Sequence, residues 1–281
     1  MKKYIIYTLI VTIAVFLGSC NKDDIDTKRS IFDPSEVYEP NEFDKWLLDN
    51  YVYTYNIQVK YRLVPAKYDN AITLAKIVKF VWMEAYDEIW GIDMTRTYVP
   101  KLLQFIGNVA YTESGMILGQ AEGGMKVTLF RVNEIDKNNL SVAQLNEYYF
   151  KTMHHEFTHI LNQKKAYDTS YDRISESDYV GSSWYRVSES VALQKGFISP
   201  YAMDRATEDF AEMVAIYVTN DASTWEDMLA SAGTTGRPII EKKFEIVFDY
   251  MLNSWGLDLD KLREIVLRRQ SEITELDLST L

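Results

Sequence analysis

Apolar residues repeat along the chain with two spacings, and each spacing predicts a different kind of element. Intervals of three and four residues place apolar side chains on one face of a helix. The helices predicted in this way span residues 41–50, 70–90, 146–165, 204–218, 224–230, 238–255 and 258–275. Asn70 and Ser141 are predicted N-caps, Pro238 is predicted to open its helix, and Gly256 is predicted to end it.

Shorter apolar runs predict strands, which span residues 57–64, 105–111, 115–119 and 125–132. Residues 164–200 have only weak periodicity and predict a long irregular segment with short helices, one of them at 188–194. Because long loops in compact domains are often functional, this segment is a candidate wall for a cleft. Together these elements predict an α+β domain with a small, mostly antiparallel sheet and a helical C-terminal part.

The N-terminus has a different pattern. A basic start precedes an apolar run at residues 4–17, which has the length of a signal-peptide core rather than of a membrane span. The run ends in Leu-Gly-Ser-Cys at residues 17–20, which resembles the bacterial lipobox. The sequence therefore predicts a lipoprotein signal peptide at residues 1–19 and a lipid on Cys20. A plain secretory signal with an incidental cysteine, or an uncleaved anchor, is the alternative.

Residues 20–40 are polar and contain two prolines, so they predict a flexible tether before a single domain at residues 41–281. The polar and acidic residues 21–24, which follow Cys20, resemble surface-export tags of lipoproteins in Gram-negative bacteria that carry large outer-membrane nutrient importers. We therefore expect an exported lipoprotein on the outer membrane, at the cell surface. An importer complex is a candidate partner.

Composition narrows the range of functions. The net charge is −11, with 41 acidic and 30 basic residues, and the chain has no basic cluster. Nucleic acid is therefore not an expected partner. The single cysteine, Cys20, excludes an internal disulfide framework. With 20 tyrosines, 12 phenylalanines and 6 tryptophans, the chain has ample apolar surface for a core.

The strongest chemical signal is His155-Glu156-Phe157-Thr158-His159, within the helix predicted at 146–165. Residues four apart share one helix face, so His155 and His159 can direct ring nitrogens at one ion. Glu156 is placed to hold and deprotonate a water molecule. This is the arrangement of zinc proteases. The alternative is a chance match on a buried helix whose histidines bond to other groups.

The histidine count constrains the third ligand. All three histidines lie at positions 154, 155 and 159. His154 is turned about 100° from His155 round a helix, so it cannot share the same ion, and we expect a structural or solvent-facing role for it. Asn162 and Lys165 stand where an extended histidine motif has glycine and histidine. Since catalytic zinc usually takes three protein ligands, a carboxylate from another element is expected.

Two acidic residues, Glu208 and Glu212, are the candidates for a carboxylate at this site. They lie four residues apart in the helix predicted at 204–218, so they share one face. We predict that Glu208 is the third zinc ligand and that Glu212 accepts the second ring N–H of a zinc histidine, as carboxylates behind zinc ligands commonly do. The alternative is a solvated acidic face.

These residues carry a family resemblance. The His155–His159 motif followed by Glu-Asp-Phe-Ala-Glu at 208–212 is similar to the gluzincin plan, as in the catalytic domain of anthrax lethal factor. Over nearly the whole chain after the tether, the sequence resembles zinc-binding metallopeptidases known as substrate-import-associated zinc metallohydrolase lipoproteins. Shared features include Ile239-Ile240 with Lys243 and the Asp258–Leu262 stretch. The resemblance implies a zincin-like fold and hydrolase chemistry.

The resemblance also implies a tyrosine that steadies the transition state, and Tyr201 stands at the matching place before Glu208. Tyr179 and Tyr185 are rivals in the same segment. Zinc proteases of this type further use an edge strand that pairs with an extended peptide. Residues 125–132 are our candidate for that strand, and an ordinary interior strand is the alternative.

The resulting hypothesis is a surface-tethered metallopeptidase with one zinc per chain, acting on a peptide or protein substrate. Glu156 would be the general base and Tyr201 the oxyanion donor. One alternative is a binding lipoprotein of a nutrient-import system with weak or no hydrolysis. Another is a metallohydrolase of non-peptide or glycopeptide amides. An intact Glu156 argues against a pure binder, because a binder has no use for a base at that position.

Overall fold

The computed structural model describes residues 63–112, 115–117, 119–122 and 126–278. The signal peptide at 1–19, Cys20, the tether at 20–40 and the helix at 41–50 lie outside the described residues, and they stay predictions. The strand predicted at 57–64 lies almost wholly outside them as well. Within the described ranges, no helix combines the length and the apolar character that crossing a membrane requires.

The first helical segment has nearly the predicted extent but a different start. Helix α1 (Tyr68–Val78) continues through a π-helical turn (Lys79–Met83) into α2 (Glu84–Trp90), and α3 (Ile92–Tyr98) follows. The N-cap is Lys67, so the prediction of Asn70 as the cap is wrong. Asn70 instead donates from Nδ2 to the backbone carbonyls of Val132 and Ile135, which ties α1 to the segment after the sheet.

The strands form a small mixed sheet and a separate hairpin. They are β1 (Leu102–Phe105), β2 (Ala110–Thr112), β3 (Gly115–Ile117), β4 (Gly119–Glu122) and β5 (Lys126–Leu129). In the described sheet, β5 lies between β1 and β4; it is parallel to β1 and antiparallel to β4. Strands β2 and β3 pair in an antiparallel hairpin.

The order of the strands corrects the prediction of an edge strand at 125–132. This segment forms β5, which has partners on both sides and is the interior strand of the described sheet. The side chains of Val127 and Leu129 are completely buried, which fits a central position. Strand β4 lies at the side of that sheet and contacts the helix that carries the histidine motif.

That helix begins at the predicted cap. The side chain of Ser141 accepts a hydrogen bond from the Gln144 backbone N–H, and α4 (Val142–Leu145) follows. A π-helical turn (Asn146–Phe150) then leads into α5 (Lys151–Lys164). The irregular segment after α5 holds two short helices, α6 (Ser170–Ile174) and α7 (Glu189–Gln194), as predicted in outline.

Three longer helices complete the fold: α8 (Ala206–Thr219), α9 (Ala222–Trp255) and α10 (Leu259–Ser271). Helix α9 is two helical segments joined at Gly233, whose φ of 67° is non-helical. Pro238 lies inside the second segment, so its prediction as the first helical residue is wrong. Gly256 ends α9 in the left-handed conformation, as predicted.

The core sits where α5 and α8 pack against each other and against α2, α9 and α10. Aromatic side chains fill it: Phe157 of α5 packs edge-on against Trp82 and Tyr86, with ring centroids 5.3 and 4.9 Å apart. On α8, Phe210 stacks on Tyr167 at 4.3 Å. This apolar packing fixes the two helices that bear the candidate site residues, and it confirms the predicted α+β class.

Candidate metal centre

Helix α5 places two histidine rings side by side. His155 and His159 are one helical turn apart, and their Nε2 atoms lie 3.0 Å from each other. The rings meet edge to face, with centroids 4.7 Å apart. His155 is buried, whereas His159 is partly accessible. The periodic apolar positions of α5 hold the opposite side of this helix in the core, so the histidines face α8.

Helix α8 supplies the third group. The Glu208 carboxylate oxygen Oε2 lies 3.0 Å from Nε2 of His155 and 3.0 Å from Nε2 of His159. The three atoms therefore form an equilateral triangle, contributed by two helices that pack directly on each other. Among the described residues, these three side chains form the one group of histidine, cysteine and acidic residues with the spacing of a metal site.

The donor set fits zinc. His155 Nδ1 lies 3.0 Å from Oε1 of Glu212, and a carboxylate can only accept, so Nδ1 carries the hydrogen. In the neutral ring, Nε2 then directs a lone pair at the Glu208 oxygen. Such an approach is repulsive without a cation. Two neutral imidazoles and one carboxylate are a common zinc ligand set, and ligand atoms of tetrahedral zinc lie roughly 3.3 Å apart.

The pKa shifts also indicate that the site between His155, His159 and Glu208 favours positive charge. Burial lowers the pKa of His155, but its hydrogen bonds to Glu208 and Glu212 outweigh burial and raise the pKa to about 10. Burial raises the pKa of Glu208, but hydrogen bonds with His155 and His159 hold it far below its usual value. The site thus stabilises a cation, whether a proton on Nε2 or a metal ion, and a metal competes with that proton.

Glu212 lies behind the ligands and has partners that the sequence did not reveal. Ser199 Oγ donates to its Oε2 at 2.6 Å, and Lys151 Nζ lies 3.6 Å from the same oxygen. Burial raises the pKa of Glu212, but Lys151 and His155 lower it to about 2. Lys151 precedes His155 by four residues, so the helical repeat was a signal that could have shown the two on one face. Nothing in the sequence singled out Ser199.

Tyr201 packs directly on the centre. Its ring stacks on that of His155, with centroids 5.6 Å apart and an interplanar angle of 29°. Burial, followed by the charges of Glu208, Glu156 and Glu212, raises the pKa of Tyr201 well above its ordinary value. The phenol therefore keeps its proton and remains a hydrogen-bond donor. Glu156 is half-buried and close enough to act on both rings.

The rival residues lie elsewhere. The Tyr179 hydroxyl donates to Oδ2 of Asp209 at 2.9 Å, and the ring of Tyr185 is exposed with its hydroxyl bonded to Arg186.

His154 is fully buried and hydrogen-bonded through Nδ1 to the Tyr86 hydroxyl at 3.1 Å. Burial lowers the pKa of His154 to about 3, so its ring is neutral. Of the two roles expected for His154, the structure shows the structural one.

The comparisons with known proteins agree with this geometry. A sequence model of the family described as "Putative zinc-binding metallo-peptidase" matches residues 36–260. A solved structure of a "putative zinc-binding metallo-peptidase" from Bacteroides caccae is 39% identical, covers 86% of this chain and 98% of its own, and superposes with a TM-score of 0.71. No curated protein matches the chain. The chain therefore belongs to the zinc-binding metallopeptidase family that its sequence resembles.

Proposed function

We propose that this protein is a zinc-dependent peptidase that hydrolyses peptide bonds at the cell surface, where a lipid on Cys20 tethers it to the outer membrane. The observation that carries the proposal is the triangle of His155 Nε2, His159 Nε2 and Glu208 Oε2, with 3.0 Å between each pair of atoms. Membership in a family of zinc-binding metallopeptidases supports it.

In this proposal, His155, His159 and Glu208 hold one zinc ion. Zinc in such a site supplies Lewis acidity, which polarises a carbonyl group and acidifies water. Glu156 follows His155 directly and is half-buried beside the centre. Its carboxylate takes a proton from the attacking water and delivers it to the leaving amine, so the same group acts first as base and then as acid.

Tyr201 stabilises the negative charge that develops on the substrate oxygen. Its phenol stays protonated because burial and three nearby carboxylates oppose ionisation. A neutral donor held beside the ligands can hydrogen-bond to the tetrahedral oxyanion at the moment the charge forms. The stacking of its ring on His155 fixes where that hydroxyl is presented.

Glu212 orients a ligand rather than a reactant. Its carboxylate accepts the Nδ1–H of His155, which leaves Nε2 of that ring free of hydrogen and directed at the centre. Ser199 and Lys151 in turn hold the second oxygen of Glu212. The ligand His155 is thus fixed in tautomer and orientation by a fully paired carboxylate.

The test of the activity uses the soluble protein from Asn21 to Leu281, with and without zinc, against a mixture of peptides of varied sequence. We expect cleavage that depends on zinc and disappears with chelation, and the mapped cut sites then define the substrate class. A zinc-loaded protein that cleaves no peptide but hydrolyses glycopeptide or other amide bonds would replace the peptidase proposal with a different hydrolase.

The tether has a separate test. We expect Cys20→Ala to abolish labelling with a radioactive fatty acid and to release the protein from the membrane fraction of the producing cell. The acidic residues after Cys20 support placement at the cell surface beside a nutrient importer. An unchanged membrane fraction in the variant would mean that an uncleaved N-terminal helix is the anchor instead.

A further inference from the structure

A second cluster of charge lies one residue away from the metal centre. Asp209 follows Glu208 on α8, and its Oδ2 accepts a hydrogen bond from Lys243 Nζ of α9 at 2.7 Å. Both side chains of this ion pair are completely inaccessible to solvent. Neither takes part in the reaction proposed above, so their burial needs another explanation.

The ion pair holds more than its own two helices. Lys243 Nζ also donates to the Gly196 carbonyl at 2.9 Å and lies 3.8 Å from the centre of the Phe197 ring. The Tyr179 hydroxyl donates to the same Asp209 oxygen at 2.9 Å. Three parts of the chain thus converge on Lys243 and Asp209: α8, α9 and the irregular segment between α5 and α8.

The place of Asp209 on α8 gives the pair a geometric effect on the ligand. Successive residues on a helix are turned by about 100°, so Asp209 points to α9 while Glu208 points to α5. Fixing Asp209 to Lys243 therefore fixes the rotation of α8 about its axis. That rotation determines where the Glu208 oxygen lies relative to the two histidines.

Lys243 also fixes the chain segment that leads to Tyr201. Gly196 has a φ of 83° and lies so close to Ile239 of α9 that an added Cβ would be 2.3 Å from its side chain. Three residues later, Ser199 donates to Glu212 and accepts the Ala202 backbone N–H at 3.1 Å. The segment 196–201 is therefore held by Lys243 at one end and by Glu212 at the other.

Burial of an ion pair is costly, and apolar side chains of similar volume often stabilise a fold as well or better. The burial of this pair is better explained by the positions that it gives to α8 and to segment 196–201. We infer that Asp209 and Lys243 are positioning residues, which set the rotation of α8 and the path of segment 196–201 and thereby place Glu208 and Tyr201. This inference rests on the proposed zinc chemistry.

The test replaces both charges at once, so that no unpaired charge stays buried. The variant is Asp209→Asn combined with Lys243→Met. Thermal unfolding shows whether it folds, competition with a chelating dye gives its zinc affinity, and the visible absorption of the cobalt-substituted protein reports ligand geometry. We expect a folded protein with roughly 10–100-fold weaker zinc binding, the scale seen when groups behind metal ligands are lost, and an altered cobalt spectrum.

A matched control removes an ion pair that contacts no residue of the centre. Glu84 of α2 and Arg269 of α10 are bonded at 2.8 Å, and Arg269 is largely buried. We expect Glu84→Gln with Arg269→Met to lower the unfolding temperature while zinc affinity and the cobalt spectrum stay at wild-type values. A loss of zinc affinity in this control as well would attribute the effect to general destabilisation and overturn the inference.

The remaining outcomes are also decisive. A folded Asp209/Lys243 double variant with wild-type zinc affinity and cobalt spectrum overturns the positioning role and leaves the proposed function intact. A wild-type protein that binds no zinc overturns the proposed function itself. If the double variant does not fold, Asp209→Glu alone is used for the same two measurements, because it keeps the charge that pairs with Lys243 and lengthens the side chain that sets the rotation of α8.

Discussion

Two of the charged clusters that join helices in the described part of this protein differ in the balance of their charges. The arginine network, made of Glu84, Glu88, Arg268 and Arg269, joins α2 to α10, with oppositely charged atoms 2.5 to 3.1 Å apart; Arg269 is largely buried and the other three side chains are partly exposed. The metal centre, made of His155, His159 and Glu208, joins α5 to α8 in a more buried setting. There, carboxylates surround rings that are neutral when they act as metal ligands.

The difference separates a cluster of matched ion pairs from a cluster whose side chains could hold a metal ion. In the arginine network, protein cations match the carboxylates, and such surface pairs contribute little to stability. In the metal centre, the Glu208 oxygen Oε2 lies 3.0 Å from Nε2 of His155 and of His159, and these rings carry no charge when they act as metal ligands. Titratable groups whose pKa values are strongly shifted by burial and by one another mark a candidate functional site.

The largest expected effect comes from removing a ligand. We expect Glu208→Ala to lower the zinc content from about one ion per chain to almost none, because two histidines alone rarely hold a catalytic zinc. His159→Ala is expected to act alike, and Glu88→Ala in the arginine network is the control that keeps zinc. Elemental analysis after dialysis measures all three. Full zinc in the Glu208 variant would assign the third ligand to another carboxylate.

The next largest effect is expected from a variant that removes a charge from the centre without removing a ligand. Glu156→Gln keeps the shape of the side chain but not its basicity. We expect turnover to fall by roughly 10²–10⁴, the usual scale for a positioned general base. Zinc content and folding are expected to stay at wild-type values. Peptide cleavage at the wild-type rate would contradict the mechanism and favour a binding lipoprotein, the alternative that the intact Glu156 argues against.

A smaller effect is expected from changing Glu212, which lies behind the ligand His155. Glu212→Gln can still accept the Nδ1–H of His155, but it loses the negative charge that favours that bond. We expect zinc affinity to fall about 10–100-fold, measured by competition with a chelating dye. The conservative variant Ser199→Ala, which removes one partner of Glu212, is expected to show a smaller loss. Equal affinity in all three proteins would leave Glu212 without a role in zinc binding.

The smallest effect is expected in the arginine network. Glu88→Gln is predicted to cost roughly 0.2–1 kcal/mol of unfolding free energy, measured by urea denaturation, with zinc affinity unchanged. Burial raises the pKa of Glu88, but hydrogen bonds from Arg269 and Arg268 outweigh it and lower the pKa below 4.5. The contribution is therefore present above pH 4.5 and is lost as the pH falls further. A zinc-binding defect in this variant would erase the distinction between the clusters.

Much of the candidate site was predictable because its signals are local in sequence. The spacing of His155 and His159, and that of Glu208 and Glu212, follows from the helical repeat alone. The scarcity of histidine then indicated a carboxylate as the third ligand. The structure brings these groups together, and the comparisons confirm the family. The role of each residue in catalysis stays a prediction.

What the sequence did not reveal depends on contacts between distant segments. Ser199 reaches Glu212 only because the irregular segment folds back over α8. The pairing of Lys243 with Asp209 spans 34 residues and has no periodic signature. The interior place of β5 was equally hidden, since alternating apolar residues suit an edge strand and a central strand alike. Asn70 has the chemistry of a cap, but its side chain bonds to remote carbonyls.

The π-helical turn at Asn146–Phe150 has a consequence for the phase between the capped end of the helix and the metal centre. Such a turn is equivalent to one extra residue inserted into an α-helix. The insertion shifts the phase of everything that follows by about 100° relative to the end capped by Ser141. Deleting one residue from this turn would restore a regular helix and keep its cap. Because the longer α5 is held in the core, the turn of about 100° would then fall on α4, so the π-helical turn lets the capped end and the histidines each keep their own contacts.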